Sequence, residues 1–174
     1  MHVKPLLTVI TPSYRNDYEL VTDLCKSMDE FLQAPFKHLL IVPQADLALF
    51  SKLQSPSRIV LAEEDLLRPY GFRKFPFPKR IRIPGLIDLR FREQWYCRGV
   101  GRANGWVIQQ LIKLSAPQLS ESDIFMFIDS DNILFRPLDL AQLYDGGKVK
   151  LARKLMRPDM HSHFQWHENA LSLL

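Results

Sequence analysis

The spacing with most chemical promise lies in DIFMFIDSDNILFRP, Asp123 to Pro137, where a run of Ile, Phe and Met ends in two carboxylates, Asp129 and Asp131. If the strand continues through them, its period of two puts both side chains on one face, roughly 6–7 Å apart. Like charges so placed repel, and the repulsion is relieved by a proton held on one of them or by a divalent cation beside both. The carboxyl end of a parallel strand is also where open α/β sheets bind ligands. A second arrangement stays open, in which Asp129 ends the strand and Ser130, Asp131 and Asn132 make a polar turn.

Other chemistries for this pair can be weighed on neighbouring residues. A calcium loop counted from Asp129 needs an oxygen ligand fifth and glycine sixth, where the chain has Ile133 and Leu134, so an EF-hand is excluded. A phosphohydrolase working through an aspartyl phosphate also uses a strand-end DxD, with the first Asp as nucleophile and the second as acid or base. In such enzymes the motif normally sits on the first strand, and Ile133 stands where a small Thr or Val is usual; this remains the alternative enzyme.

RGVGRANG sets Gly99, Gly101 and Gly105 before a helix, one residue off the dinucleotide fingerprint and behind no convincing strand, which excludes NAD binding. Arg98 and Arg102 next to that helix start are candidates for phosphate oxygens, or are solvated loop arginines. His161, His163 and His167 admit a metal role or a packing role. Glu63, Glu64 and Asp65 close a predicted strand, as nucleoside contacts or as solvated acids. No serine sits in a GxSxG elbow, so a hydrolase triad is excluded. Cys25 and Cys97 lack CxxC spacing, so neither a disulfide framework nor a zinc knuckle is expected.

The elements that must position these groups alternate. LLTVITPSY reads as a buried strand followed by a loop. Asn16 and Glu19 resemble a capping box before a helix with Leu20, Leu24, Met28, Phe31 and Leu32 on one face, ended by Pro35. KHLLIVP is a second strand, DLALFSKL a short helix and RIVLAEED a third strand. From Leu66 to about Gln94 periodicity fails among four prolines (69, 76, 78, 84), which predicts a long functional loop. Asn104 is an N-cap for a helix through Val107, Ile108, Leu111 and Ile112. DIFMFID, apolar on both faces, is expected as a central strand, and KVKLARKLM as a later one. The order predicts an α/β fold with a mostly parallel sheet and helices on both faces.

At 174 residues the chain is one domain's worth, with 47% hydrophobic and 24% charged residues. No apolar run approaches the roughly 20 residues of a membrane span, and no leader peptide is visible; a soluble, cytoplasmic protein is expected. Ten of the basic residues fall between Arg68 and Arg102 against Asp88 and Glu93, so the net charge of +4 belongs to one segment. RPYGFRKFPFPKRIRIPG, with aromatics among its cations, suits a flap over an anionic ligand, a nucleic-acid surface, or an exposed loop with its rings tucked inward. HFQWHENALSLL begins an amphipathic pattern that stops without a cap, which predicts that these residues open a longer chain.

Together TVITPSYRND, GWVIQQLIKL, FMFIDSDNILFRP and WHENA resemble the nucleotide-sugar glycosyltransferases of the GT-A fold. More narrowly they are similar to an uncharacterised bacterial glycosyltransferase-like family with GWxxQQLLKL, DSD and WHxxA. The resemblance covers most of the chain. It implies a single Rossmann-like GT-A domain over 1–174: a nucleotide-binding βαβαβ part (1–65), a basic insertion (66–103), then the helix, the DxD strand and the start of an acceptor half (104–174). It implies a hexosyltransferase-like enzyme that moves sugar from a nucleoside diphosphate to a saccharide or glycan-type acceptor, with no nucleic-acid partner. Asp131 would ligate Mn²⁺ or Mg²⁺, with Asp129 at the metal, ribose or donor sugar and His161 as a further ligand. Thr11, Pro12, Ser13 and Tyr14 would cradle the base and ribose, with Arg102 on the phosphates. Tyr14 would stack on the base or pack beneath the sheet edge. The alternatives kept are the DxD phosphohydrolase and a non-catalytic nucleic-acid- or polyanion-binding module. Asp159 and Glu168 are the acids available as a catalytic base, which the sequence leaves unassigned.

Overall fold

A computed structural model of the chain describes residues 7–74, 80–83, 87–90, 94–122, 124–145 and 148–150. Strand β1 (Leu7–Pro12) is buried along its whole length, as its β-branched composition allows on a surface covered from both sides. A 3-10 turn at Arg15–Asp17 leads into helix α1 (Tyr18–Phe31). The expected capping box does not form: the turn itself satisfies the entry, with the Asp17 and Tyr18 N–H groups donating to the Tyr14 and Arg15 carbonyls. The helix buries Val21, Leu24, Cys25 and Met28, whereas Leu20, expected on that face, is exposed.

Strand β2 (Phe36–Val42), helix α2 (Leu47–Phe50) and strand β3 (Arg58–Ala62) complete the first half. Next come helix α3 (Glu63–Leu67) and strands β4 (Phe72–Lys74), β5 (Arg80–Ile83), β6 (Ile87–Arg90), β7 (Trp95–Cys97) and β8 (Gly101–Ala103). Among its described residues the segment expected as a long loop thus holds strands β4, β5 and β6. β5 and β6 pair antiparallel, with Ile83 opposite Ile87, and β4, β7 and β8 form a three-stranded antiparallel sheet. RIRI and IDLR alternate with period two across Pro84–Gly85, a hairpin signal that the density of prolines overrode in the sequence reading. Gly99 and Gly101, at φ 94° and 86°, make the turn between β7 and β8, so these glycines serve a hairpin.

Helix α4 (Gly105–Ser115) begins as predicted, with the Val107 N–H donating to the Asn104 side chain at 3.0 Å. Strand β9 (Ile124–Phe127) returns to the first sheet, whose order is β3-β2-β1-β9, all parallel. The chain steps outward through α1 and α2, then reverses to the far side of β1. Right-handed crossovers therefore put α4 on the opposite face from α1 and α2. The two cores show this: Val21, Cys25 and Phe50 meet Leu40, Val42 and Val60, while Ile108 and Ile112 meet Ile10, Leu39, Ile41, Phe72 and Trp95. Among the described residues β9, expected as central, is an edge strand, paired on one side, with β1, and Phe127 is exposed. An apolar composition reports covered faces and says nothing of whether both edges are paired. Beyond the DSD residues the chain returns along α1, where the Leu134 N–H donates to Ser27 Oγ and the Leu138 N–H to the Phe31 carbonyl.

The chain divides into two compact units, Met1–Asp139 and Leu140–Leu174. In the second, helix α5 (Leu140–Leu143) precedes antiparallel strands β10 (Tyr144–Asp145) and β11 (Lys148–Val149). The strand expected in KVKLARKLM begins with β11, and its remainder lies outside the described residues. No helix among the described residues is long and apolar enough to cross a membrane.

A buried guanidinium joins α1, β2 and β3. Arg58, 4% exposed, donates through Nε to His38 Nδ1 at 2.9 Å and through Nη1 to the Leu53 carbonyl. Its Nη2 reaches the Cys25 carbonyl and, at 2.8 Å, Asp29 Oδ1. With Nδ1 accepting, the His38 proton belongs on Nε2, which is buried without a partner. Burial, and then the Arg58 charge, pull the His38 pKa down to about 3. Burial pushes the Cys25 thiol up to about 11, so it packs as a neutral group.

Removing the shared donor strands several buried acceptors at once, so Arg58→Met is expected to cost about 3 kcal/mol in urea unfolding. Asp29→Ala, which removes a carboxylate that water reaches, should cost about 1 kcal/mol or less. The unfolded His38 takes up a proton that the folded one refuses. Its contribution to stability is complete above about pH 6.5 and is lost, by up to about 1.4 kcal/mol per pH unit, as pH falls toward 3. Unfolding midpoints measured from pH 7 down to 4.5 should fall with that slope in excess over His38→Gln, which keeps an acceptor for Arg58 and removes the titration.

Candidate functional site

The order β3-β2-β1-β9 reverses between β1 and β9, and a doubly wound sheet opens a crevice above its carboxyl edge at such a reversal. A cleft of about 440 Å³ lies at that edge. The β1 exit supplies Pro12, Ser13, Tyr14 and Asp17, the β2 exit Pro43 and the β3 exit Glu63; β7 adds Trp95, and α4 adds Gly105, Trp106, Gln109 and Ile112. On α4, Ile108 and Ile112 anchor the core face. Trp106 and Gln109 lie to one side of it, and Trp106 stays 63% exposed.

The loops that leave the four strands are tied to one another. Glu64 accepts from the Gln44 N–H at 2.8 Å. Asp46, buried, accepts from the Arg15 N–H at 3.0 Å and from Arg15 Nε at 2.9 Å. Ser130 Oγ donates to Asp17 Oδ2 at 2.9 Å. These bonds run in the order of the strands, β3 to β2 to β1 to β9, and the last couples the middle residue of DSD to a wall of the cleft.

Asp129 and Asp131 do not continue the strand. Pairing ends with the Ile128 N–H on the Ile10 carbonyl, and the Asn132 N–H donates back to the Asp129 carbonyl at 3.2 Å, which closes a turn over 129–132. The same-face geometry expected of a strand is therefore replaced by the polar turn. Asp129 is half-exposed and paired at 2.6 Å with Lys113 Nζ from α4. The carboxylate of Asp131, on the exposed side of the turn, meets Asn132 Nδ2 at 3.1 Å. Among the described residues no three His, Cys, Asp or Glu side chains gather as a metal cage. Asp129, shared with an ammonium, and Asp131, exposed, are the carboxylates of this turn that could hold a divalent cation such as Mg²⁺ or Mn²⁺, with water completing its shell.

Ser13 and Tyr14 line the cleft with Pro12. The hydroxyls of Ser13, 8% exposed, and of Thr11 are buried with no hydrogen-bond partner among the described residues. Tyr14 is half-exposed at the wall and does not pack beneath the sheet. Arg102 lies on the exposed face of β8, beside Tyr96 and opposite in direction to buried Ala103, and is not among the lining residues. His161, His163, His167, Asp159 and Glu168 lie outside the described residues. Glu63 and Glu64 are not merely solvated: Lys74 Nζ meets them at 2.8 and 2.7 Å and sits over Trp95, 5.2 Å from the ring centroid.

Trp95, Trp106, Asp17 and Lys113 were not singled out from sequence. Trp106 carried a legible signal, a large ring off the apolar face of an amphipathic helix. Asp17 carried none, because its partner Ser130 is 113 positions away.

The chain belongs to DUF6492, a family of unknown function whose sequence profile matches residues 3–174. No curated protein and no solved structure gives a significant match to it.

The Asn104 cap fixes the first turn of α4 and with it the Trp106 wall. Asn104→Ala should cost about 1 kcal/mol of stability in chemical denaturation, and Asn104→Asp, which keeps the accepting oxygen, should restore most of it.

Proposed function

We propose that this member of DUF6492 is a metal-dependent glycosyltransferase of the GT-A type, taking a sugar from a nucleoside diphosphate to a saccharide or glycan-type acceptor. The observation that carries the proposal is the bond between Ser130 and Asp17, which couples the DSD turn to the wall of the carboxyl-edge cleft. A ligand whose neutral part fills the cleft would carry its phosphates toward the turn. The lining includes Asp17 and Glu63, and the ammonium of Lys74 beside that wall is shared by Glu63 and Glu64 at 2.8 and 2.7 Å, so the best partner for a diphosphate is a cation held at the DSD turn.

In this reading Asp131, with Asp129, holds Mn²⁺ or Mg²⁺, which when bound neutralises the charge that the leaving diphosphate gains. Tyr14 and the unpartnered Ser13 hydroxyl receive the nucleoside. Lys113 holds the Asp129 carboxylate in place through an ion pair shielded on the α4 side. The diphosphate oxygen departs with the electron pair of the anomeric C–O bond, the acceptor hydroxyl oxygen bonds to the anomeric carbon, and the hydroxyl proton passes to the leaving diphosphate or to water.

Calorimetric titration of UDP and of GDP, with and without Mn²⁺, tests the reading. One diphosphate is expected to bind with metal present, and Asp131→Ala should weaken it at least tenfold. If neither nucleotide binds and metal makes no difference, the proposal fails. Hydrolysis of a phosphate monoester with Mg²⁺ would replace it by the phosphohydrolase, and polyanion binding indifferent to Asp131→Ala by the binding module.

A further inference from the structure

The antiparallel sheet β4-β7-β8 has two unlike faces. Phe72, Trp95, Cys97 and Ala103 turn inward to the core that also holds Ile108 and Ile112. The pleat sends the residues between them the other way, and the register sets those in one row. Arg73 stands opposite Tyr96, and Tyr96 opposite Arg102. All three are exposed. Arg73 and Arg102 are two strand spacings apart, about 10 Å at the backbone, with the phenol between them. Arg98, also exposed, adds a cation where β7 turns into β8.

The charge of this face is not met from within. From Trp95 to Ala103 the chain has Arg98 and Arg102 and no acid. Arg15, Arg58 and Arg68 each have an aspartate, whereas Arg73, Arg98 and Arg102 have none among the described residues. Arg73 Nη1 donates to the Arg68 and Phe72 carbonyls at 3.1 and 3.3 Å. Those bonds steady its guanidinium and leave other donors of the fork open. Cations gathered without counter-charge attract an anionic ligand, and a guanidinium fork matches a carboxylate in two parallel bonds. An exposed phenol offers its apolar face to a ring laid on it.

The row thus calls for an acid, a neutral ring and a second acid, and a polysaccharide with uronic acid on alternate sugars presents that order. Single-stranded nucleic acid stacks successive bases on successive rings, but Tyr96 is the one ring on this face among the described residues of the three strands. We infer that the outer face of β4-β7-β8 binds an acidic glycan of this kind, with Arg73 and Arg102 on its carboxylates and Tyr96 beneath the sugar between them. The surface is separate from the cleft and uses none of its groups, although Arg102 is three residues along the chain from Gly105 at the cleft wall. Its meaning as an acceptor site rests on the glycosyltransferase reading, and it then makes the acceptor an anionic polymer.

Calorimetric titration of the whole chain with tetrasaccharides of hyaluronan and of unsulfated chondroitin, in chelator and without nucleotide, tests the inference against maltotetraose as the neutral control. At least one acidic tetrasaccharide should bind at least tenfold tighter than maltotetraose, and less tightly as salt rises. Arg73→Gln combined with Arg102→Gln should weaken it at least tenfold, and Tyr96→Ala at least fivefold. Tyr96→Phe should change it little, with circular dichroism showing every variant folded. Lys26→Gln combined with Lys52→Gln, which removes the same charge from exposed positions elsewhere, should leave the affinity within twofold. No preference for either acidic tetrasaccharide, or an equal loss in the lysine variant, overturns the inference. Oligothymidylate that binds tighter than both acids through the same arginines also overturns it and gives the face to nucleic acid. The nucleotide titration fails or succeeds separately. Acidic glycan bound without nucleotide binding would keep this surface and sink the transferase, and nucleotide binding with no acidic glycan would do the reverse.

Discussion

A parallel sheet delivers every strand to the same edge, so the loops that leave it crowd together there with backbone groups and charges that no ladder satisfies. In this protein three carboxylates resolve that crowding. Glu64, Asp46 and Asp17 each accept a hydrogen bond from the loop of a neighbouring strand, in the order β3, β2, β1, β9. The cleft depends on this lacing, because its walls at β1, β2 and β3 are made by residues at and just beyond the strand ends. Without the ties, Tyr14 and Ser13 would hang from a segment held by little besides the Ser13 N–H bond to the Ile41 carbonyl.

Charge is apportioned along the same edge. Carboxylates that carry structure are given donors: Asp46 receives Arg15, and Glu63 and Glu64 share Lys74. Asp131 is left with a neutral amide on the exposed side of a turn. The anchored central serine fixes the backbone of the turn, which holds the Asp131 carboxylate on its exposed side. Lys113 separates the two aspartates chemically, since it neutralises Asp129 and leaves Asp131 to act as the open anion.

Helix α4 links the core to the site. One side carries Ile108 and Ile112 into the core with β1 and β2, another carries Trp106 and Gln109 to the cleft, and Lys113 reaches the DSD turn. Its entry is fixed by the Asn104 cap and its exit by the Ala116–Leu119 turn. A helix packed by its apolar stripe transmits little motion to the groups on its flanks, so the cleft wall and the DSD turn share one rigid support.

The sequence by itself determined the alternation of strands and helices, the buried strands β1 and β2, the Asn104 cap and the place of the DSD residues just past a strand. Each is local: β-branched runs, amphipathic periods and capping side chains act within a few residues. In the described part of 66–94 it missed strands whose two-residue period, in RIRI and IDLR, the prolines masked, and it expected β9 in the middle of a sheet where, among the described residues, β9 lies at the edge, because hydrophobicity reports covered faces and not paired edges. It left Asp129 and Asp131 open between an extended and a turned arrangement, and a backbone bond between Asn132 and Asp129 decides for the turn. Tertiary structure alone decided which side chains meet: Asp17 with Ser130, Lys113 with Asp129, and Arg58 with His38 and Asp29, and it alone put Trp106 on the same cleft as the loop after β1. These pairings depend on strand order and crossover hand, which are set by the global minimum of buried area and satisfied polar groups, and no window of neighbouring residues contains that information.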